Sequence, residues 1–232
     1  MPSANPVFVA LDTTDLDYAR QLAERLRGHV GGLKLGLEFF SAHGAGGVRA
    51  FQDLGLPIFL DLKYHDIPNT VAGAARAAAS LGVDIINVHA AGGPAMMKAA
   101  LEAVRGTGTK TKVIAVTVLT SLSDSDLAAI GQTPSAGQQV LRLAQLAKSC
   151  GLDGVVCSAH EIAPLRAALG PDFMLVVPGI RPAGSDLNDQ SRVMTPAEAH
   201  KAGADILVIG RPITAAPDPV KAARDIAQSL GF

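Results

Sequence analysis

Apolar residues along this chain gather in short runs, and most of the runs end in a polar or charged residue. Eight of them read as strands: Val7 to Asp12, Gly32 to Leu37, Pro57 to Lys63, Asp84 to His89, Lys112 to Thr120, Asp153 to Ser158, Phe173 to Ile180 and Asp205 to Gly210. Between them lie alanine-rich segments whose apolar positions recur with helical spacing, such as Leu16 to Leu26, Val71 to Leu81, Gln138 to Lys148 and Pro219 to Leu230. Three joints share one signature, SLGVDIINV, SCGLDGVVC and KAGADILVI: a glycine that can end a helix, then Asp, then an apolar strand. Strand and helix therefore alternate as repeated units of about 29 residues, the size of a compact βα unit with short loops. Eight such units close as a (β/α)8 TIM barrel, an α/β fold. An open doubly wound sheet is the competitor, but no glycine fingerprint follows the first strand. With no linker rich in Pro or Ser, the expectation is one domain over 1–232.

In a barrel, sites are built at the carboxyl ends of the strands. Those ends hold Asp12, Lys34, Asp61, Lys63, His89, Thr120, Ser158, Arg181 and Arg211, few of which a core would select. The densest stretch is PIFLDLKYHDIPNT, Pro57 to Thr70. A strand puts residues two apart on one face, so Asp61 and Lys63 point one way, and Leu60 and Leu62 the other. Asp66 follows where the strand has ended, and Asn69 or Thr70 is available to cap the next helix. The cluster has two readings: a structural ion network, or a catalytic one in which neighbouring carboxylates favour the ammonium form of Lys63. An ammonium suits proton donation and disfavours a Schiff base, which needs a neutral amine. A second pattern, VVPGIRPAG and VIGRPIT, leads from the seventh and eighth strands to Gly and then Arg, where barrels often hold phosphate. The alternative is that these glycines and prolines only make turns. The polar segment from Pro182 to Val193 reads as a lid.

Composition narrows the classes of function. With 48% hydrophobic and 18% charged residues the chain reads as globular, and a net charge of −1 gives no electrostatic case for nucleic acid or an acidic membrane. No apolar run is long enough for a membrane span, and the amino terminus has no basic region followed by an apolar core. Cys150 and Cys157 lack CxxC spacing, which fits a reduced cytoplasm. None of the six histidines forms an HxH or HExxH pair, so a histidine zinc site has little support. His65 and His89 read as supporting hydrogen-bond partners near the site, Met96 and Met97 as helix packing, and Cys157 as a small buried hydrophobe.

DLKYHDIPNT resembles the signature of the orotidine 5′-phosphate decarboxylase family, Asp-x-Lys-x-x-Asp followed by Ile-x-x-Thr. FVALD, LKLGLEFF, NVHAAGG, TVLTSL, PGIRP and VIGRPI fall in the order and spacing of its bacterial members. The resemblance implies a homodimeric (β/α)8 barrel with sites at the subunit interface, and a cofactor-free, metal-free removal of CO2 from orotidine monophosphate to give UMP. It further implies a charge network of Lys34, Asp61, Lys63 and the partner chain's Asp66, with Lys63 the proton donor to C6. Asp12 and Lys34 would hold the ribose with Thr70 of the partner chain, and Thr120 would contact the pyrimidine. Arg181, Gln190, Gly210 and Arg211 would secure base and phosphate. Two rivals stand beside it: a magnesium-dependent sugar-phosphate decarboxylase or aldolase on the same barrel, and a non-catalytic barrel that binds nucleotide phosphate.

Overall fold

A computed structural model describes residues 5–132, 135–182 and 194–232. All eight expected strands are present: β1 (Val7–Ala10), β2 (Gly32–Gly36), β3 (Ile58–Tyr64), β4 (Ile85–His89), β5 (Lys112–Val116), β6 (Gly154–Val156), β7 (Met174–Val177) and β8 (Ile206–Ile209). They pair in parallel and in chain order, and β8 returns to β1 with Val7 beside Leu207 and Val9 beside Ile209, so the barrel is closed. Alternation gives each strand two faces, and the two faces build two cores. Phe8, Ala10, Phe59, Ile85, Ile114, Val176, Ile206 and Val208 pack together inside the ring. Val7, Val9, Leu33, Leu35, Leu60 and Ile86 pack outward against helical residues such as Leu22, Leu26, Val71, Met96 and Met97.

Local chemistry sets the element ends. Helix Leu16–Leu26 begins where the Asp15 carboxylate accepts the N–H of Tyr18, and it buries Ala19, Leu22, Ala23 and Leu26 along one stripe. Helix Pro219–Ser229 is capped by Asp218 in the same way. The helix after β3 runs Pro68–Ala79, three residues ahead of the expected start, and neither Asn69 nor Thr70 caps it. Pro68 supplies the first turn instead, since its missing N–H is one that the helix could not have used. Strand β5 stops at Val116, short of the expected Thr120; the next residue, Thr117, gives both its N–H and its hydroxyl to the Val156 carbonyl, at 3.4 and 2.9 Å.

The repeated Gly-x-Asp signature has a specific job at the amino end of the barrel. Gly82, Gly151 and Gly203 each take a left-handed φ, +73°, +82° and +110°, which turns the chain out of its helix. Two residues on, the carboxylates of Asp84, Asp153 and Asp205 accept the N–H groups of Ile58, Val113 and Leu175 at 2.8, 2.8 and 2.7 Å. Each aspartate also gives its own N–H to the carbonyl of that same residue, at 2.9, 2.9 and 3.0 Å. The result is a two-point clasp at β3/β4, β5/β6 and β7/β8, which fixes alternate strand pairs from below and leaves the upper rim for chemistry.

Candidate active site

Followed from amino to carboxyl end, the inward faces of the first four strands turn from apolar to polar: Phe8, Ala10, Asp12; Gly32, Lys34, Gly36; Phe59, Asp61, Lys63; Ile85, Asn87, His89. The barrel thus delivers charged groups onto a hydrophobic floor. Above that floor lies a cavity of about 320 Å³ lined by Asp12, Lys34, Asp61, Lys63, Thr120, Arg181, Gly210 and Arg211 together with Phe59, Val176 and Val208. Eight of the residues expected at the site therefore share one cavity. Asp66 and Thr70 do not reach it; both are exposed on their own chain. Gln190, and the segment expected to form a lid beyond Pro182, lie outside the described residues.

The charges alternate in a line. Lys34 Nζ is 3.0 Å from Asp12 Oδ1 and 3.4 Å from Asp61 Oδ2, and Lys63 Nζ is 2.7 Å from Asp61 Oδ1. Lys34 and Asp61 are both only 8% exposed, so the contact between them is little screened by water. Burial pushes the Asp61 carboxyl up, but attraction from Lys34 and then Lys63, with hydrogen bonds from Lys63 and Asn87, outweighs it and holds the group below its ordinary value. Asp61 is therefore an anion at neutral pH. Burial, reinforced by His65 and Lys63, lowers His89 against the opposing pull of Asp61, so His89 adds no charge there at neutral pH.

Lys63 has a backbone φ of +52°, the one positive φ outside glycine among the described residues. Such a conformation is uncommon for a residue with a side chain and collects at functional sites. Here it interrupts the β3–β4 ladder: Leu60 pairs with Ile86, and the next pairing is Tyr64 with Val88. Asp61, Leu62 and Lys63 form the bulge between them. Gly36 lies close by for want of space, since a Cβ there would stand 2.8 Å from Lys34 Nζ and 2.9 Å from Asp12 Oδ1.

The sequence reading missed Asn87. It is fully buried on β4, donates to Asp61 Oδ1 at 2.7 Å and accepts the Lys63 N–H at 2.7 Å. Its signal was an amide on the inward face of the otherwise apolar run IINV. His65 and His89 meet ring to ring at 5.4 Å rather than through the expected hydrogen bonds. Met96, Met97 and Cys157 are buried as expected, and burial pushes the Cys157 thiol up, away from nucleophilic use.

Comparison with known proteins gives this geometry its relatives. Residues 5–226 match the family described as orotidine 5′-phosphate decarboxylase / HUMPS family. The orotidine 5′-phosphate decarboxylase of Rhodospirillum rubrum is 58% identical over 97% of this chain and 94% of its own length. That of Moorella thermoacetica is 54% identical over 99% of this chain and 94% of its own. The crystal structure of orotidine 5′-phosphate decarboxylase from Lactobacillus acidophilus superposes with a TM-score of 0.87 at 39% identity, covering 98% of this chain and 100% of that one. The chain belongs to the orotidine 5′-phosphate decarboxylase / HUMPS family.

Proposed function

We propose that the protein is a lyase that removes CO2 from orotidine 5′-phosphate to give UMP, the closing step of pyrimidine nucleotide synthesis, without a cofactor. The observation that carries this reading is the Asp12, Lys34, Asp61, Lys63 line of alternating charge on the wall of the cavity. In the reaction the bond between C6 and the carboxylate carbon breaks, CO2 departs, and the electron pair stays on C6. The Lys63 ammonium stabilises that developing anion and then gives it a proton, which Lys63 regains from water. Asp61 keeps Lys63 aimed and sets a fixed negative charge near the departing carboxylate, a repulsion relieved as CO2 leaves. Each factor of ten in rate needs about 1.4 kcal/mol off the barrier, so these effects act together with binding at a distance. Arg181, Gly210 and Arg211 hold base and phosphate, Thr120 meets the pyrimidine, and Asp12 and Lys34 hold the ribose. Gln190 belongs to the same assignment.

The working unit in this proposal is a homodimer. Asp66 and Thr70 are exposed and do not line their own cavity, and between them Ile67 is 67% exposed. A carboxylate and a hydroxyl flanking an uncovered isoleucine suit a surface that a second copy covers, with Asp66 and Thr70 entering the partner's site.

The magnesium-dependent sugar-phosphate reading fits less well, because both oxygens of Asp61 already face ammonium groups, and a divalent cation there would meet Lys34 and Lys63. A purely binding barrel has no use for such crowding. The test is the ultraviolet absorbance of orotidine 5′-phosphate incubated with purified protein in chelator and no added cofactor. Loss of the substrate band is expected; no turnover, in protein shown to be folded, would move the assignment to the sugar-phosphate branch.

A further inference from the structure

We propose that Asn87 is a positioning residue for the decarboxylation, holding the Lys63 backbone in its left-handed turn with one end of its amide and aiming the Asp61 carboxylate with the other. The inference rests on the function proposed above. It begins with burial: Asn87 is 0% exposed, and a buried amide is costly unless both of its ends find partners. Both do, and the partners dictate which way the amide faces. The Lys63 N–H needs an acceptor, and the Asp61 carboxylate accepts only, so Oδ1 must face Lys63 and Nδ2 must face Asp61.

The backbone explains why a side chain is needed. Between the Leu60–Ile86 and Tyr64–Val88 pairs, β3 advances four residues while β4 advances two. The bulged N–H of Lys63 cannot meet a β4 carbonyl in ladder fashion, and Asn87, on the strand alongside, supplies the acceptor from its side chain. One amide thereby connects the strained backbone of Lys63 to the carboxylate that its own ammonium touches at 2.7 Å. Asp61 Oδ1 receives both the Lys63 ammonium and the Asn87 amide, so rotation of the carboxylate would break two bonds together. An apolar replacement would leave the Lys63 N–H unpaired and take from Asp61 Oδ1 one of its two hydrogen bonds, leaving only the lysines to aim the carboxylate.

An isosteric change separates positioning from mere support. Asn87→Asp keeps an acceptor for the Lys63 N–H, but when ionised it sets a carboxylate against Asp61; when protonated it regains a donor. The charged and titratable groups around it are Lys34 on β2, Asp61 and Lys63 on β3, His65 beyond β3 and His89 on β4. The facing residue of β5, Ile114, adds none. In steady-state kinetics on orotidine 5′-phosphate at neutral pH, kcat of Asn87→Asp and Asn87→Ala should fall by about ten- to a hundredfold, the cost of misplacing a reacting group, with KM changed much less. On lowering the pH, kcat of Asn87→Asp should climb while that of Asn87→Ala does not. A kcat near wild type in both variants, or equal pH profiles for the two, would overturn the role.

Amide hydrogen exchange provides a reading that needs neither turnover nor a folded variant. In the wild-type protein the Lys63 N–H should exchange as slowly as its β3 neighbours; exchange at the rate of an open loop would overturn the proposal. Were wild-type protein to leave orotidine 5′-phosphate unchanged while the Lys63 N–H stayed protected, the proposed function would fail and the Asn87–Lys63 hydrogen bond would stand.

Discussion

Asp61 shares its two oxygens among Lys34, Lys63 and Asn87, and most of the site's electrostatics follows from that one carboxylate. Its folded-state pKa is depressed, so its contribution to stability is complete above the unfolded value of about 4 and is lost as pH falls through the lower, folded one. Chemical unfolding followed across the acid range should show stability declining from about pH 4 downward, and Asp61→Asn should flatten that decline. An unchanged profile in the variant would mean that the network is not closed as described. Gly36 tests the same network sterically: its backbone is extended, with φ −95° and ψ −171°, so Gly36→Ala carries no backbone strain and acts only through its methyl group. That methyl would crowd Lys34 Nζ and Asp12 Oδ1, so kcat/KM should drop by about tenfold or more with little change in melting temperature; equal activity would contradict the close approach. At this scale the sequence was legible where a charge interrupts an apolar strand, as at Lys34, Asp61 and Lys63. Asn87 escaped because a single amide in a strand carries no charge to mark it, and the left-handed turn at Lys63 escaped because nothing in a lysine announces a positive φ.

Elements were legible through periodicity, and their ends were less so. All eight strands stand where the apolar runs put them, because inward and outward positions both need burial. The runs overshoot at the carboxyl ends, as at Val118, Leu119 and Thr120, since residues that line a cavity are as apolar as residues that line a core. The Gly-x-Asp repeat could be seen in the sequence, but its clasp could not, because the N–H groups it satisfies lie about 26 to 40 residues earlier in the chain. Asp153→Ala should cost about 1–3 kcal/mol in urea unfolding by leaving the Val113 N–H unpaired, and should leave kcat unchanged because the clasp lies at the opposite end of the barrel from the site. A loss of kcat with full stability would reverse that assignment.

For the molecule as a whole, the closed parallel barrel was predictable from unit count and strand–helix alternation, whereas the expected second copy has no signature in one chain's periodicity. If the site is shared between chains, mixing Asp66→Asn with Lys63→Ala should restore part of the activity that each lacks alone, because a mixed dimer holds one site with neither change. No recovery, with subunit exchange demonstrated, would confine the site to one chain. The most direct test of the central claim is kcat of Lys63→Ala on orotidine 5′-phosphate, measured beside its affinity for UMP. Loss of both proton donor and fixed positive charge should lower kcat by about a thousandfold or more while UMP still binds. Turnover within tenfold of wild type would show that the ammonium at the end of β3 is not what the barrel is built to present.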